Sequence, residues 1–451
     1  MTEGPLLGKM ILFALPVIAS GILQLLFNTA DVMVVGRFSG DAAMAAVGCC
    51  TSIIHLVINL FIGLSVGAGV VAAHDLGAKR YDDVRRLTRT ALAASLIGGV
   101  AVGLFGFLAA EPLLVLMKTP TDVLPEAVPY MKAYFVGIPG SLVYNYLSAI
   151  LRSSGDTRRP LFFLTAAGVV NVLLNLLMVC GFGMGALGVG IATAVSQYVS
   201  AALIVIFMMR TDGPCRLTGL GMDGEKLRRM VTVGLPAGIQ SCLFSFSNVL
   251  IQSTVNGYAT AVVAGNTAAS NLEGYVYTSM NALYQTSVTF VGQNVGAGKY
   301  HRIKHIALEC AAIVTVVGVV MGGGLLLFGD KLLWLYTSGD ASAAVIEAGM
   351  NRLLVIASLY FLCGLMEVGC GVMRGMGYAV CPMVVSLVGS CLLRIVWIYT
   401  VCPLFPDNIM ALYISYPISW TLTAATHWIF CFFSYRKLVR TKNTDHERIT
   451  T

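Results

Sequence analysis

Charge is what this chain has least of. Only 11% of its 451 residues are Asp, Glu, Lys or Arg, against 57% that are hydrophobic. A soluble globular chain carries about a quarter charged residues. With so few polar groups the chain cannot cover a water-facing surface, so its solvent must be lipid. Motifs of soluble chemistry are missing too. There is no HExxH or Walker sequence, and the Gly-Ala-Gly at 296–298 reads as a loop turn. The twelve cysteines include no CxxC pair; most of them (Cys49, Cys50, Cys180, Cys242, Cys370, Cys391) sit in apolar runs as small core residues. No small-residue cleavage site follows the apolar run after Lys9, so the first span is expected to stay in the protein. The net charge of +7 does not mark a nucleic-acid partner, because Lys and Arg lie in short clusters between apolar runs.

What the chain has in quantity is long apolar segments. Bounded by Gly, Pro and charge clusters, they predict twelve membrane-spanning helices. These fall near 10–36, 46–73, 88–110, 128–151, 160–182, 186–209, 230–256, 262–292, 306–328, 350–373, 381–401 and 410–434. With both termini inside, 23 Lys and Arg fall in inner segments. Five fall outside (Arg37, Lys118, Lys132, Lys331, Arg352), and Arg394 lies within a span. The positive-inside rule then predicts cytoplasmic termini.

Three echoes along the chain reveal a repeat. Ala14-Leu-Pro16 recurs as Gly234-Leu-Pro236, an offset of 220; Asp75-Leu-Gly-Ala-Lys-Arg-Tyr81 recurs as Asn294-Val-Gly-Ala-Gly-Lys-Tyr300, an offset of 219. Arg152-Ser-Ser-Gly155 with Pro160 recurs as Arg374-Gly-Met-Gly377 with Pro382, an offset of 222. A six-helix unit has been duplicated in parallel topology, which predicts an all-α membrane protein of two pseudo-symmetric six-helix bundles. The expected division is an N-lobe at 1–209, a linker at 210–229, a C-lobe at 230–436 and a cytoplasmic tail at 437–451.

A charge retained inside hydrocarbon costs at least ~2.5–3.5 kcal/mol, so each one needs a reason. Asp31 lies deep along the first span with Asn28 one turn before it; it reads as a proton- or Na⁺-binding carboxylate, or else as an interfacial group paired with Arg37. Glu273 on the eighth span and Glu367 on the tenth are candidates for a substrate-facing role; Glu367 could instead anchor a basic loop. Arg394 reads as a counter-charge to one of these acids. Asn171 and Asn175 share one helix face at i, i+4 spacing, and amide oxygens so placed can help ligate a hard cation or simply join helices. Asn145, Asn248, Asn266 and Asn281 are further amides in apolar segments. His301 and His305 fall in a basic loop and read as a solvated face. The 20 methionines suit either a repackable pocket or plain core filling.

Three segments then resemble one family. Leu15-Pro16 followed by Asn28-Thr-Ala-Asp31-Val-Met-Val-Val-Gly36-Arg37, Leu151-Arg-Ser-Ser-Gly-Asp156 with Pro160, and Gln293-Asn-Val-Gly-Ala-Gly-Lys299 resemble the multidrug and toxic compound extrusion (MATE) transporters, from about Lys9 to Arg436. The resemblance implies two six-helix bundles around a cleft and antiport of organic, often cationic, compounds against H⁺ or Na⁺. It implies that Asp31 is the coupling carboxylate, with Asn171 and Thr193 at the family's cation-site Asn and Thr. Asn175 stands where many relatives have a second Asp. The acid that some relatives carry on the seventh helix is absent; Ser245, Ser247 and Asn248 occupy that stretch.

The expected function is therefore cation-coupled export of small organic, cationic or amphipathic compounds by alternating access, without enzymatic activity or a cofactor. Asp31, Asn171, Asn175 and Thr193 would couple the cation, and would be metal ligands only if that cation is Na⁺. Asn28, Asn145, Asn248, Glu273 and Glu367 would line the substrate cleft. The expected setting is a monomer in the cell membrane, with lipid and a small organic substrate as its partners and no nucleic acid. A lipid-linked precursor flippase of the same superfamily is an alternative, but would want cationic residues in its cavity rather than in loops. A membrane-embedded enzyme would need a nucleophile or metal set within the spans, and no histidine cluster or paired acids at metal spacing is present. A reporter fused after Arg436 or inserted near Pro214 should report cytoplasm, and one near Asn408 the outside; an outside signal from either of the first two would overturn the twelve-span topology.

Overall fold

The structure, a computed structural model, describes residues 1–336, 342–406 and 408–450. Among these it is helical with no strand, as lipid requires of a chain that must satisfy its own backbone. The helices form twelve rods. They are α1 Leu7–Phe38, α2 Asp41–Gly77, α3 Tyr81–Leu116, α4 Leu124–Ser153, α5 Arg158–Asn175 prolonged by a π turn at Leu176–Gly181, and α6 Gly185–Arg210. Next come α7 Gly224–Val255, α8 Thr260–Gly296 and α9 His301–Trp334. α10 joins Ser342–Ile356 to Tyr360–Gly375 through a 3-10 turn, α11 joins Val380–Ser386 to Leu393–Thr400 through a π turn at Leu387–Leu392, and α12 is Met410–Thr450. Ten rods are long and apolar enough to cross a membrane. α8 and α12, at 37 and 41 residues, have the length but more polar faces.

The apolar surface is turned outward as well as inward. α4 buries 72% of its most apolar stretch, and α9 only 17%. Leu104, Phe105, Leu108, Leu116, Leu327 and Phe328 are all exposed. In water such a surface would drive aggregation; in lipid it costs nothing.

Two compact units divide the chain at Ala14–Leu15 and Gly238–Ile239, inside α1 and α7 and beside the repeated prolines Pro16 and Pro236. The segment 210–229, expected to be a linker, is folded onto the first unit instead. Cys215 and Leu217 join a core with Leu87, Leu147, Ile150 and Ile204, and α7 already begins at Gly224. The opening half of α7 lies against α2 without intervening side chains: a Cβ on Gly67 would strike the Met230 carbonyl and the Gly234 backbone. Gly63-Leu-Ser65-Val-Gly67 has the spacing of a nucleophile elbow, but its context is wrong for one. Ser65 sits mid-helix, is buried, and donates to the Ile62 carbonyl at 2.7 Å. Its glycines serve helix approach.

The second unit takes the first turns of α1. Phe13 meets Phe290 edge-on at 5.7 Å, and Met10 Sδ lies 3.5 Å from Cys310 Sγ. Lys299 Nζ donates to the Thr2 carbonyl and Arg302 to that of Gly4, at 3.0 and 2.8 Å. The α8–α9 turn is thereby covered by the chain's start.

In the first unit, charge does the equivalent work. Asp75, fully buried, accepts from Arg80 at 2.8 Å and from buried Lys226 at 2.9 Å, while Asp83 lies 3.3 Å from the same lysine. Removing one member of a buried ion pair leaves the other uncompensated, at about 3–5 kcal/mol. Asp75→Ala should therefore destabilise detergent-solubilised protein by about 3 kcal/mol, since Asp83 still serves Lys226. An unchanged melting temperature would show that the cluster adds no stability.

Candidate functional site

The first unit gathers four of the residues singled out from sequence. Asn175 Nδ2 donates to Asp31 Oδ1 and, at 3.2 Å, to Asn171 Oδ1. Asn171 Nδ2 donates in turn to Thr193 Oγ1 at 3.4 Å, and Thr193 lies close enough to Asp31 to act on its charge. A carboxylate from α1, two amides from α5 and a hydroxyl from α6 are thus linked in one network. Asn171 and Asn175 are buried; Asp31 is half-buried. Arg37 is exposed and makes no ion pair with Asp31, so the interfacial pairing is not what the fold adopts.

Small residues make this meeting possible. A Cβ on Gly168 would overlap the Phe27 ring. Phe27 stands one turn before Asp31 and Gly168 one turn before Asn171, so this missing side chain lets α1 settle on α5 at the right height. A π turn widens a helix by one residue and recurs at functional sites; α5 has one directly after Asn175.

Asn175 Oδ1 is buried with no hydrogen-bond partner. A buried acceptor left unsatisfied costs about 1–3 kcal/mol, so it marks a place where another group belongs. Four oxygen-bearing side chains with one formal negative charge suit a proton or a small monovalent cation. Among the described residues no three His, Cys, Asp or Glu come together as a transition-metal site would need. Sequence reasoning missed Tyr130 and Tyr134 on α4, both within electrostatic reach of Asp31. Two hydroxyl-bearing aromatics at i, i+4 spacing on the most buried rod were the available signal.

The remaining candidates are scattered. Asn28 and Asn248 are exposed, and Asn145 folds back onto its own helix, donating to the Ser141 carbonyl at 2.8 Å. Glu273, expected to offer a free carboxylate, spends its charge on Arg352 in a two-pronged pair at 2.7 and 2.9 Å. Arg352, counted among the outer loop charges from sequence, is buried in α10 and also donates to Asn266 at 2.7 Å. Arg394 was the expected counter-charge, yet it makes no ion pair among the described residues. Glu367 is buried on α10 with Arg374 as its compensating charge.

Twelve rods among the described residues, six to each repeat, with apolar side chains exposed and polar ones buried, define a polytopic membrane protein. The family model described as MatE matches residues 16–177 and again 236–400, once in each repeat, and the chain belongs to that family. It is 24% identical over 439 residues to the probable multidrug resistance protein YoeA of Bacillus subtilis, covering 95% of this chain and 94% of that one. To the probable multidrug resistance protein YpnP of the same organism it is 28% identical, covering 87% and 88%. A MOP superfamily transporter from Pyrococcus furiosus has the same fold, with a TM-score of 0.91 at 18% identity over 97% of each chain.

Gly168→Val should push α1 off α5 and part Asp31 from Asn175. The protein should still insert, but a cysteine pair introduced in place of Asp31 and Asn175 should cross-link in the parent background and not in the Gly168→Val background. Equal cross-linking in both would show that Gly168 does not set this spacing.

Proposed function

We propose that the chain exports small organic, cationic or amphipathic compounds across the cell membrane, with both termini cytoplasmic, by alternating access coupled to H⁺ or Na⁺ entry. The observation that supports this best is the hydrogen-bonded series of Asp31, Asn175, Asn171 and Thr193 with one acceptor to spare. Relatives described as multidrug resistance proteins, aligned over nearly the whole chain, support the substrate class.

This network gives the coupling a physical form. Ionised Asp31 is an acceptor, and Asn175 serves it with its NH₂ group. Protonated Asp31 becomes a donor and needs an acceptor, which the partnerless Asn175 Oδ1 supplies once the amide turns over. Na⁺ would demand the same turn, because it is ligated by oxygen and repelled by the NH₂ group. The turn withdraws Nδ2 from Asn171, so occupancy at Asp31 is passed to α5 and α6. An ion shifts the balance between two states only by its differential affinity for them, and this exchange of partners is a source of that difference.

Asp31→Asn keeps shape but carries neither charge nor a titratable proton. Losing a lone charge favours insertion by up to about 2.5–3.5 kcal/mol, so folding and insertion should survive. In liposomes, accumulation of a fluorescent cation against its gradient should collapse in the variant. Runs with and without a sodium gradient identify the coupling ion. Undiminished accumulation with the parent's ion dependence would remove Asp31 from the coupling role.

A further inference from the structure

The second unit holds three buried guanidiniums, Arg352, Arg374 and Arg394, against two buried carboxylates, Glu273 and Glu367. Arg352 is matched by Glu273. Arg374 gives Nη1 to Tyr284 Oη at 2.6 Å and Nη2 to Gln240 Oε1 at 2.7 Å, and is the charge that compensates Glu367. Arg394 is left over. It is 4% exposed, and its one hydrogen bond among the described residues runs from Nε to Ser419 Oγ at 2.8 Å. Nη2 is buried without a partner. Tyr416 and Trp420, in edge-on contact with each other, flank the guanidinium with centroids 4.2 and 5.6 Å away. Aromatic faces ease the charge but accept none of the in-plane N–H groups.

The repeat gives this position a meaning. Pro160 and Pro382 are 222 residues apart, and the π turn Leu387–Leu392 inserts one residue into α11 ahead of Arg394. Arg394, 223 residues after Asn171, thus occupies the second unit's copy of the Asn171 position. In both halves the partner is a hydroxyl on the following helix, Thr193 in one and Ser419 in the other. The first half adds a carboxylate to this pair. The second puts a fixed positive charge there and no acid.

We propose that Arg394, with Ser419 beside it and the Tyr416 and Trp420 rings as walls, is an anion subsite for an acidic group, carboxylate or phosphate, of the transported compound. It rests on the export reading and sharpens it: compounds that carry an acidic group beside a cationic or aromatic body are preferred over plain cations. The open Nη2–Nη1 edge is the fork that recognises oxyanions in pairs. Nη2 is closed to solvent, so the anion arrives with a shift of neighbouring side chains.

The test uses the purified full chain and two dyes that differ at one group. Rhodamine 19 has a free carboxylate, and rhodamine 6G is its ethyl ester. Fluorescence anisotropy should show tighter binding of rhodamine 19 to the parent. Arg394→Gln should weaken rhodamine 19 about tenfold, as loss of a charge-assisted bond does, and leave rhodamine 6G within about twofold. Arg394→Lys, which keeps the charge without the fork, should recover part of the loss. Equal affinity of the parent for both dyes would overturn the proposal without any variant, and so would equal weakening of both dyes in Arg394→Gln. Inorganic phosphate should compete with rhodamine 19 and spare rhodamine 6G; equal displacement of both dyes would be a general salt effect and would overturn the anion subsite. Binding is read with no ion gradient, so failure here is distinct from failure of driven export in the Asp31 experiment.

Discussion

Lipid donates and accepts no hydrogen bonds, so each polar group carried into the spans must find its partner inside the protein. This constraint explains the whole-chain commitment to helix, and it also organises the interior. Along α11 and α12 it produces a ladder of buried pairs: Ser386 with His427 at 3.4 Å, Ser390 with Thr423 at 3.1 Å, and Arg394 with Ser419 at 2.8 Å. The residues recur at intervals of four on both helices, so each pair lies one turn from the next. Such bonds contribute only about 0.6 kcal/mol each on average in membranes. Their larger effect is to fix helix register, since a one-residue slip would strand several polar groups in an apolar seam.

Groups that fail to find partners stand out against that background. Asn175 Oδ1 and Arg394 Nη2 are both buried and unsatisfied, and both lie on the helix that carries a π turn in its half of the molecule. Glycine sets the stage for them. Gly168 admits Phe27, and Gly67 admits the backbone of α7; with any side chain at these places the helices would stand apart and the polar groups would not converge.

Much of this was legible beforehand. Twelve apolar runs matched twelve rods because a span's length and composition are dictated by the bilayer, not by neighbours. Asp31, Asn171, Asn175 and Thr193 could be named together because the i, i+4 amide pair and the family resemblance agreed. Pairings between distant helices were another matter. Nothing in the sequence ties Glu273 to Arg352, 79 residues on, and simple charge counting placed that arginine in an outer loop. Arg394 was assigned an acid it does not have. The glycine spacing around Ser65, which resembles a catalytic turn, acquires its packing role only when α7 is seen beside it.

The two halves began as copies, and the pattern of charge shows how far they have parted. Asp75 anchors an ion cluster; its counterpart Asn294, equally buried, keeps only a bond from Nδ2 to the Phe290 carbonyl at 2.8 Å. Asn171 is linked through Asn175 to a carboxylate, and its counterpart Arg394 brings a guanidinium with no acid at all. Substitutions of this kind leave the helices as spans, because spanning rests on apolar length and small-residue contacts even where a cluster such as that of Asp75 adds stability. The polar interior is therefore the part of the duplicated unit free to diverge. A site with one acid and no counter-charge suits a cation that must come and go. A half in which cations outnumber acids suits the opposite ligand. In the proposed roles, one duplicated helix pair serves ion coupling in the first half and substrate recognition in the second, which is the division of labour an antiporter requires of two sites that must be read by the same conformational change.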